Sequence, residues 1–338
     1  MTRIVLDAMG GDYAPASEIE GALMAVRELD VEVILVGPEA RLRRELNWTT
    51  NGHETGIEIV DASEVITMGE PVTQAIRRKP NSTIRVGMRL VRDGHADGFV
   101  SAGNTGAIMA TAKMVIKMLG KISRPALAAI LPTVIGKPTL LIDVGANAVC
   151  KPLHLLQFAM MGDVYARTIL GVETPVVGLV SIGEEQLKGN ELTRETHKLL
   201  EQSGLHFIGN VEGQEIYAGK ADVIVCDGFT GNVILKVSEG TSEMLLEVIK
   251  QEWLKSVQLK AGAILSRSAF DDIKRRFGYE EFGGAPLLGV KNVCVICHGR
   301  STGRAIRNAI KVAAELCQKR VLERIEAEMA RLEIDSGL

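Results

Sequence analysis

Thr139-Leu-Leu-Ile-Asp-Val-Gly-Ala-Asn147 decides the fold: an apolar run stops at an aspartate and gives way to a loop of small residues. A near-continuous apolar run suits a strand covered on both faces, as in a parallel sheet between helical layers. Three other stretches are built alike. They are Ile4-Val-Leu-Asp-Ala-Met-Gly-Gly-Asp12, Gly98-Phe-Val-Ser-Ala-Gly-Asn-Thr-Gly106 and Val223-Ile-Val-Cys-Asp-Gly-Phe-Thr-Gly-Asn232. Each runs from a strand through a loop toward a helical stretch. Open α/β sheets bind ligands at their strand C-termini, and helix N-termini there attract anions. The four loops are therefore expected to converge on one edge of the sheet and hold something negatively charged. Taken singly, the glycines read as turn residues, and Asp7, Asp143 and Asp227 as helix caps, loop-orienting acceptors or metal ligands, caps being the commonest use. The shared chemistry of four loops is what favours a ligand.

Alternation continues from end to end. Residues 3–7, 31–36, 57–60, 97–101, 127–131, 139–143, 176–181, 206–208, 221–227 and 293–297 read as strands, and 16–29 as the first helix. Strands alternating with helices predict a largely parallel sheet with right-handed crossovers. No helical stretch separates 127–131 from 139–143, so some antiparallel members are expected and the sheet is mixed. No linker divides the chain, which reads as a single α/β domain, 1–338, with a central cleft. Two helical regions stand apart. From residue 304 to 334, Ile306, Ile310, Ala313, Cys317, Val321, Ile325, Met329 and Leu332 recur at helical spacing, a stripe long enough to project or meet a partner. Segment 250–277 mixes apolar residues with seven basic and three acidic ones.

A chain of 338 residues can bury a large core. Aromatics at 4% and 35 glycines favour α/β layers with tight turns over a base-stacking platform. A net charge of −3 gives no global attraction to nucleic acid. No stretch reads as a secretory signal or a membrane span, and five scattered cysteines fit a reducing compartment. A cytoplasmic location is expected.

Familiar nucleotide and nucleophile motifs are missing. No Gly-x-Gly occurs, which removes the dinucleotide fingerprint, and G-x-x-x-x-G-K-[ST], G-x-S-x-G, H-E-x-x-H and His-x4-Asp are absent too. Cys294-Val-Ile-Cys297-His298 fits a haem-attachment pattern. It lies in an apolar strand where residues three apart face opposite ways, so both cysteines read as core. His298, at the strand end, reads equally as a cap or a ligand. Lys188-Gly-Asn190 offers a lysine to an anion, against the commoner solvated role; Arg124 and Arg77-Arg78-Lys79 read as surface.

The motifs together resemble one family, the bacterial fatty acyl-ACP:phosphate acyltransferases. The resemblance is carried by Val5-Leu-Asp-Ala-Met-Gly-Gly-Asp12, Ser101-Ala-Gly-Asn-Thr-Gly-Ala107, Arg124-Pro-Ala126 and Leu141-Ile-Asp-Val-Gly-Ala-Asn147. Gln157-Phe-Ala-Met-Met-Gly162, Lys188-Gly-Asn-Glu191, Asp227-Gly-Phe-Thr-Gly-Asn232, Gly283-Gly-Ala285 and His298-Gly299 complete it. They run in order over residues 3–310. Ala148-Val149-Cys150 and Arg300 depart from the usual pattern, which bears on Asn147 and His298.

This resemblance implies transfer of a long-chain acyl group from acyl carrier protein to inorganic phosphate, for phospholipid synthesis. It also implies a fold similar to the isocitrate and isopropylmalate dehydrogenases, a homodimer, and peripheral contact with the inner face of the membrane. No cofactor or metal is called for. Phosphate is already an anionic nucleophile, and a thiol that ordinarily ionises near about pH 8.5 leaves as thiolate with little acid help. What remains is orientation, worth on the order of 7–11 kcal/mol, and oxyanion stabilisation, about 3 kcal/mol per donor. Phosphate is assigned to Gly103-Asn104-Thr105-Gly106 and Gly228 through Asn232, including Thr230 and Gly231, with Lys188 supplying charge. Asn232 or Asn104 donates to the oxyanion. Asp7, Gly10, Gly11, Asp12, Asp143, Gly145, Asn147, Asn190, Asp227 and His298 join the substrate-binding set. Lys255, Lys260, Arg267, Lys274, Arg275 and Arg276 are candidates for docking acidic carrier protein, within a segment that reads equally as a dimer or membrane contact. The rivals are a coenzyme A-dependent phosphotransacylase, a decarboxylating dehydrogenase, and a non-catalytic anion binder.

Overall fold

The computed structural model describes residues 1–53, 56–277 and 283–331, apart from the side chains of residue 271 and residues 274–277. The strands are β1 (Thr2–Asp7), β2 (Val31–Gly37), β3 (Glu58–Asp61), β4 (Gly98–Ser101), β5 (Ala126–Leu131), β6 (Thr139–Ile142), β7 (Val176–Val180), β8 (His206–Val211), β9 (Val223–Val225), β10 (Ala285–Leu288) and β11 (Val293–Ile296). They form one 11-stranded sheet in the order β3-β2-β1-β4-β11-β10-β5-β6-β9-β7-β8.

Pairing divides the sheet into two parallel blocks. From β3 to β11 every neighbour is parallel, as it is from β6 to β8. Between the blocks, the pairs β11–β10, β10–β5 and β5–β6 are all antiparallel. The mixed sheet expected from the short connection between β5 and β6 is present. β10 escaped the sequence reading because Pro286 sits inside it, and proline argues against an inner strand.

The helices are α1 (Ala16–Glu28), α2 (Glu39–Thr50), α3 (Val72–Arg78), α4 (Thr83–Arg92), α5 (Thr105–Thr111), α6 (Pro152–Tyr165), α7 (Glu191–Glu201), α8 (Gly228–Trp253), α9 (Val257–Leu265), α10 (Arg267–Phe277), α11 (Gly303–Gln318) and α12 (Val321–Ala330). They cover both faces of the sheet. The two-residue period of a strand sorts the core accordingly. Ile4, Leu6, Leu140, Ile142, Val223 and Val225 belong to one apolar layer; Val5, Leu141 and Ile224 belong to the other. Both layers run through both blocks.

The C-terminal stripe, expected to be a single helix over 304–334, is two helices. Arg320 takes a left-handed φ of 53° and divides it into α11 and α12. The turn folds the stripe onto the body, where Ile306, Ile310, Ala313, Val321, Ile325 and Met329 are buried; Leu332 lies outside the described residues. Segment 250–277 comprises the end of α8 with α9 and α10, and α9 buries none of its residues.

Candidate active site

The first loop pair is organised by Asp7. Closing β1 at 1% exposure, its carboxylate accepts the Met9 N–H at 3.1 Å and the Ser101 hydroxyl at 2.7 Å. Ser101 Oγ in turn accepts the Gly103 N–H at 3.0 Å. One buried acceptor thus ties the loop after β1 to the loop after β4. Burial pushes the Asp7 carboxyl above its ordinary range, opposed by those donors. Beside it, Asp12 N–H donates to Gly299 O at 2.8 Å and Gly11 N–H to Glu18 Oε1 at 3.0 Å. Asn104 caps α5: its Oδ1 accepts from Ala107 N, and its Nδ2 donates to Met68 O, each at 3.0 Å.

Asp143 does the same for the second pair. It is fully buried. Oδ1 accepts the N–H groups of Leu127, Gly145 and Ala146 at 2.8–3.1 Å. Oδ2 accepts the backbone N–H and the side-chain amide of Asn147 at 2.8 and 2.9 Å. Burial raises its pKa and these donors lower it, with burial the larger cause. The loop after β9 packs directly on this one: Gly228 N–H donates to Asn147 O at 2.8 Å. Asp227 caps α8, accepting from Phe229 N, Thr230 N and Thr230 Oγ1.

The loops do not share one edge. Three successive antiparallel steps reverse β6 and β9 relative to β1 and β4, so the two pairs lie at opposite ends of the sheet. They meet over its face instead. A cavity of about 420 Å³ is walled by Thr105 and Gly106 from the first pair and by Val144, Gly145 and Asn232 from the second. Its floor is the antiparallel middle, with Leu127, Ala129, Ile130, Ala285 and Ile296, and His298 stands at the end of β11. Apolar floor and polar walls suit a ligand with a chain and a reactive head.

The remaining expected residues divide around α8. Asn190, Asp227 and Thr230 line a second cavity of about 140 Å³. Lys188 is exposed on the adjoining loop and lines neither space. Asp7, Gly10, Gly11, Asp12, Gly103, Asn104, Asp143, Asn147, Gly228 and Gly231 line neither cavity. Asn232 is exposed in the large cavity, and its amide makes no hydrogen bond with a described residue. His298 Nδ1 accepts the Arg300 N–H at 3.1 Å. Burial, and then the charge of Lys236, lower its pKa, so the imidazole is neutral at pH 7.

The sequence reading missed Lys236 and Glu239, which line the large cavity and pair with each other at 2.8 Å. Lys236 stands four residues after Asn232, one turn along the same helix face, and that spacing was the available signal. Ser181, on the wall of the small cavity, was also missed. The thiols are unsuited to nucleophilic work: burial pushes Cys150 up to about 11 and Cys294 to about 12, and raises Cys226 and Cys297 as well. Of the carrier-docking candidates, Lys255 pairs with Glu252 at 2.5 Å and Lys260 and Arg267 are exposed. The side chains of Lys274, Arg275 and Arg276 lie outside the described residues.

Comparison with known proteins identifies the family. A family model described as "Fatty acid synthesis protein" matches residues 2–324. The chain is 52% identical over 330 residues to a phosphate acyltransferase of Acidobacterium capsulatum, covering 98% of each chain. It is 48% identical over 336 residues to that of Pelobacter propionicus, covering 99% of this chain and 96% of the relative. Among solved structures, it is similar to the EutD phosphotransacetylase of Staphylococcus aureus, with a TM-score of 0.61 at 17% identity and 94% of each chain covered. That likeness is one of fold, a mixed and largely parallel sheet between helices. Matched over nearly its whole length, the chain belongs to the phosphate acyltransferases of the fatty acid synthesis protein family.

Proposed function

We propose that the chain moves a long-chain fatty acyl group from acyl carrier protein to inorganic phosphate, releasing acyl-phosphate and the carrier thiol for the first steps of phospholipid synthesis. Acyl transfer to phosphate itself follows from membership of the family. A phosphate oxygen attacks the thioester carbonyl, the new C–O bond forms, and the C–S bond breaks with loss of thiolate. The observation that carries this reading is the cavity between the loop pairs, which offers apolar floor strands to the chain and Asn232 to the carbonyl. Asn232 takes the oxyanion role in preference to Asn104, whose amide is engaged at both ends. Phosphate is received beside the first turn of α8, with Lys188 supplying charge from the adjoining loop. No Ser–His–Asp relay is needed, because phosphate is already an anionic nucleophile, and the Cys150 thiol stays protonated.

Docking of the acidic carrier falls to Lys255, Lys260 and Arg267, with Lys274, Arg275 and Arg276 completing the basic segment. Exposed apolar residues on α8, among them Val237, Met244 and Leu245, support burial by a second copy in a homodimer. Among the described residues no helix is long and apolar enough to cross a membrane. Contact with the inner face is therefore proposed as peripheral and the location as cytoplasmic. The likeness of fold to the isocitrate and isopropylmalate dehydrogenases is retained only as what the sequence resemblance implies. Trapping with hydroxylamine tests the reaction: acyl-hydroxamate should form only when enzyme, phosphate and acyl-carrier protein are all present. Turnover with acyl-coenzyme A far exceeding that with acyl-carrier protein would favour the coenzyme A-dependent alternative.

A further inference from the structure

We infer that the small cavity between the N-termini of α7 and α8 is a binding site for a phosphate-type oxyanion, with Ser181 Oγ as a direct donor to it. Ser181 follows β7 and is 9% exposed, and its hydroxyl is buried without any hydrogen-bond partner. A buried hydroxyl left unpaired costs about 1–3 kcal/mol. It is therefore a donor waiting for an acceptor, on the wall of a 140 Å³ space.

The surroundings fit an anion. The 11-residue α7 begins at this cavity, with Asn190 as its cap accepting the Thr193 N–H at 2.9 Å. That bond leaves the N–H groups of Glu191 and Leu192, in the first turn, without partners among the described residues, as helix starts that receive anions do. Arg194 Nη1 donates at 2.9 Å to the carbonyl oxygen of Gly189, which lines the space and follows Lys188 in the loop. Gly189 keeps the space open. A Cβ there would lie 2.1 Å from Thr193 Oγ1 and 2.9 Å from Ser181 Oγ, at a φ of +92°. The other hydroxyls lining the space are committed, Thr193 to Asn190 O and Thr230 to Asp227. The carboxylate on the wall, Asp227, is met by Phe229 N, Thr230 N and Thr230 Oγ1, while Glu191 stands in the first turn of α7. This leaves Ser181 as the hydroxyl able to tell an oxyanion from an empty or water-filled cavity.

The site deepens the proposed function and rests on it for the source of the anion, which is either inorganic phosphate or the phosphate of the acyl donor's pantetheine arm. The test begins without turnover. Thermal unfolding of the full chain is followed while inorganic phosphate, and separately 4′-phosphopantetheine, is titrated into wild type, Ser181→Ala and Ser181→Cys. Ser181 has no partner to lose, so neither variant should unfold earlier in phosphate-free buffer. The ligand that occupies the site should stabilise wild type. Ser181→Ala should need about tenfold more of it for the same shift, and Ser181→Cys an intermediate amount. In steady-state acyl transfer, the KM for phosphate alone should rise if inorganic phosphate is the occupant, and the KM for the donor alone if the pantetheine phosphate is. Equal shifts for all three proteins with both ligands, and unchanged KM values, would overturn the site and leave a cavity holding only water. Failure of acyl transfer in wild type would overturn the proposed function without touching the binding titration.

Discussion

Gly231 in the first turn of α8 sits so close to Asp143 that a Cβ at position 231 would lie 1.9 Å from the Asp143 carbonyl oxygen. That contact is backbone against backbone, so no side chain can swing away to relieve it. Gly231→Ala must therefore push α8 off the loop that carries Gly145. The expected cost is at least about 1–3 kcal/mol, the usual range for overpacking, read as a lower urea midpoint. Acyl transfer should fall further than stability, because Asn232 rides on the displaced turn. A variant with wild-type midpoint and rate would show that the two loops are not rigidly coupled.

Glu18 makes stability depend on pH. Burial, above all, holds its pKa at about 7 against an ordinary 4.5, although Gly11 donates to it. The folded-state value is raised, so between about pH 4.5 and 7 the folded chain keeps a proton that the unfolded chain has lost. The stabilisation present at low pH is then lost as pH rises through 7. Glu18→Gln keeps an acceptor for Gly11 and removes the ionisation. It should be more stable than wild type by about 2 kcal/mol at pH 8, with the difference disappearing near pH 4.5. Parallel denaturation curves across that range would remove Glu18 from the account.

Asn232 and Asn104 should separate cleanly. Asn232→Ala removes an amide exposed in the large cavity and is expected to lower kcat about 100-fold with little change in melting temperature. Asn104→Ala removes a cap of α5 and should cost about 1 kcal/mol of stability, with kcat falling much less. Reversal of these two outcomes would move the oxyanion role to Asn104.

The 250–277 segment predicts two separable phenotypes. Leu254, Val257, Ile264 and Leu265 are 59–87% exposed, which is unusual for large apolar residues near one another. Leu254→Glu with Ile264→Glu should abolish sedimentation with anionic liposomes while sparing turnover of soluble substrates. Lys260→Glu with Arg267→Glu should instead raise the KM for acyl-carrier protein several-fold at low salt, with the effect fading as salt rises. Liposome binding indifferent to the first pair would end the membrane reading.

Most of the sheet could be read from the chain because its strands carry dense apolar runs closed by Asp, Gly and Asn, signals local in sequence. The meeting place of the loops could not. It depends on an odd number of antiparallel steps, two of the three made through β10, whose Pro286 disguised it. Loop identity was legible, and Asp7 and Asp143 stand at strand ends as read. Their burial, and their use as anchors for neighbouring N–H groups, needed the partner loops in place. Ser181 was invisible for the opposite reason: an isolated serine acquires meaning only once its hydroxyl is found without a partner.

The strand that hid in the sequence also sets how firmly the two halves of the sheet are joined. β10 meets β11 and β5 through two residue pairs each, and Pro286 brings no N–H to either ladder. The cavity floor is thus laid over the most thinly stitched seam of the protein. Slow breathing of the fold should begin there, with the Leu287 and Leu288 amides exchanging sooner than those of β1. On the proposed reading, the acyl chain would enter and leave across that seam.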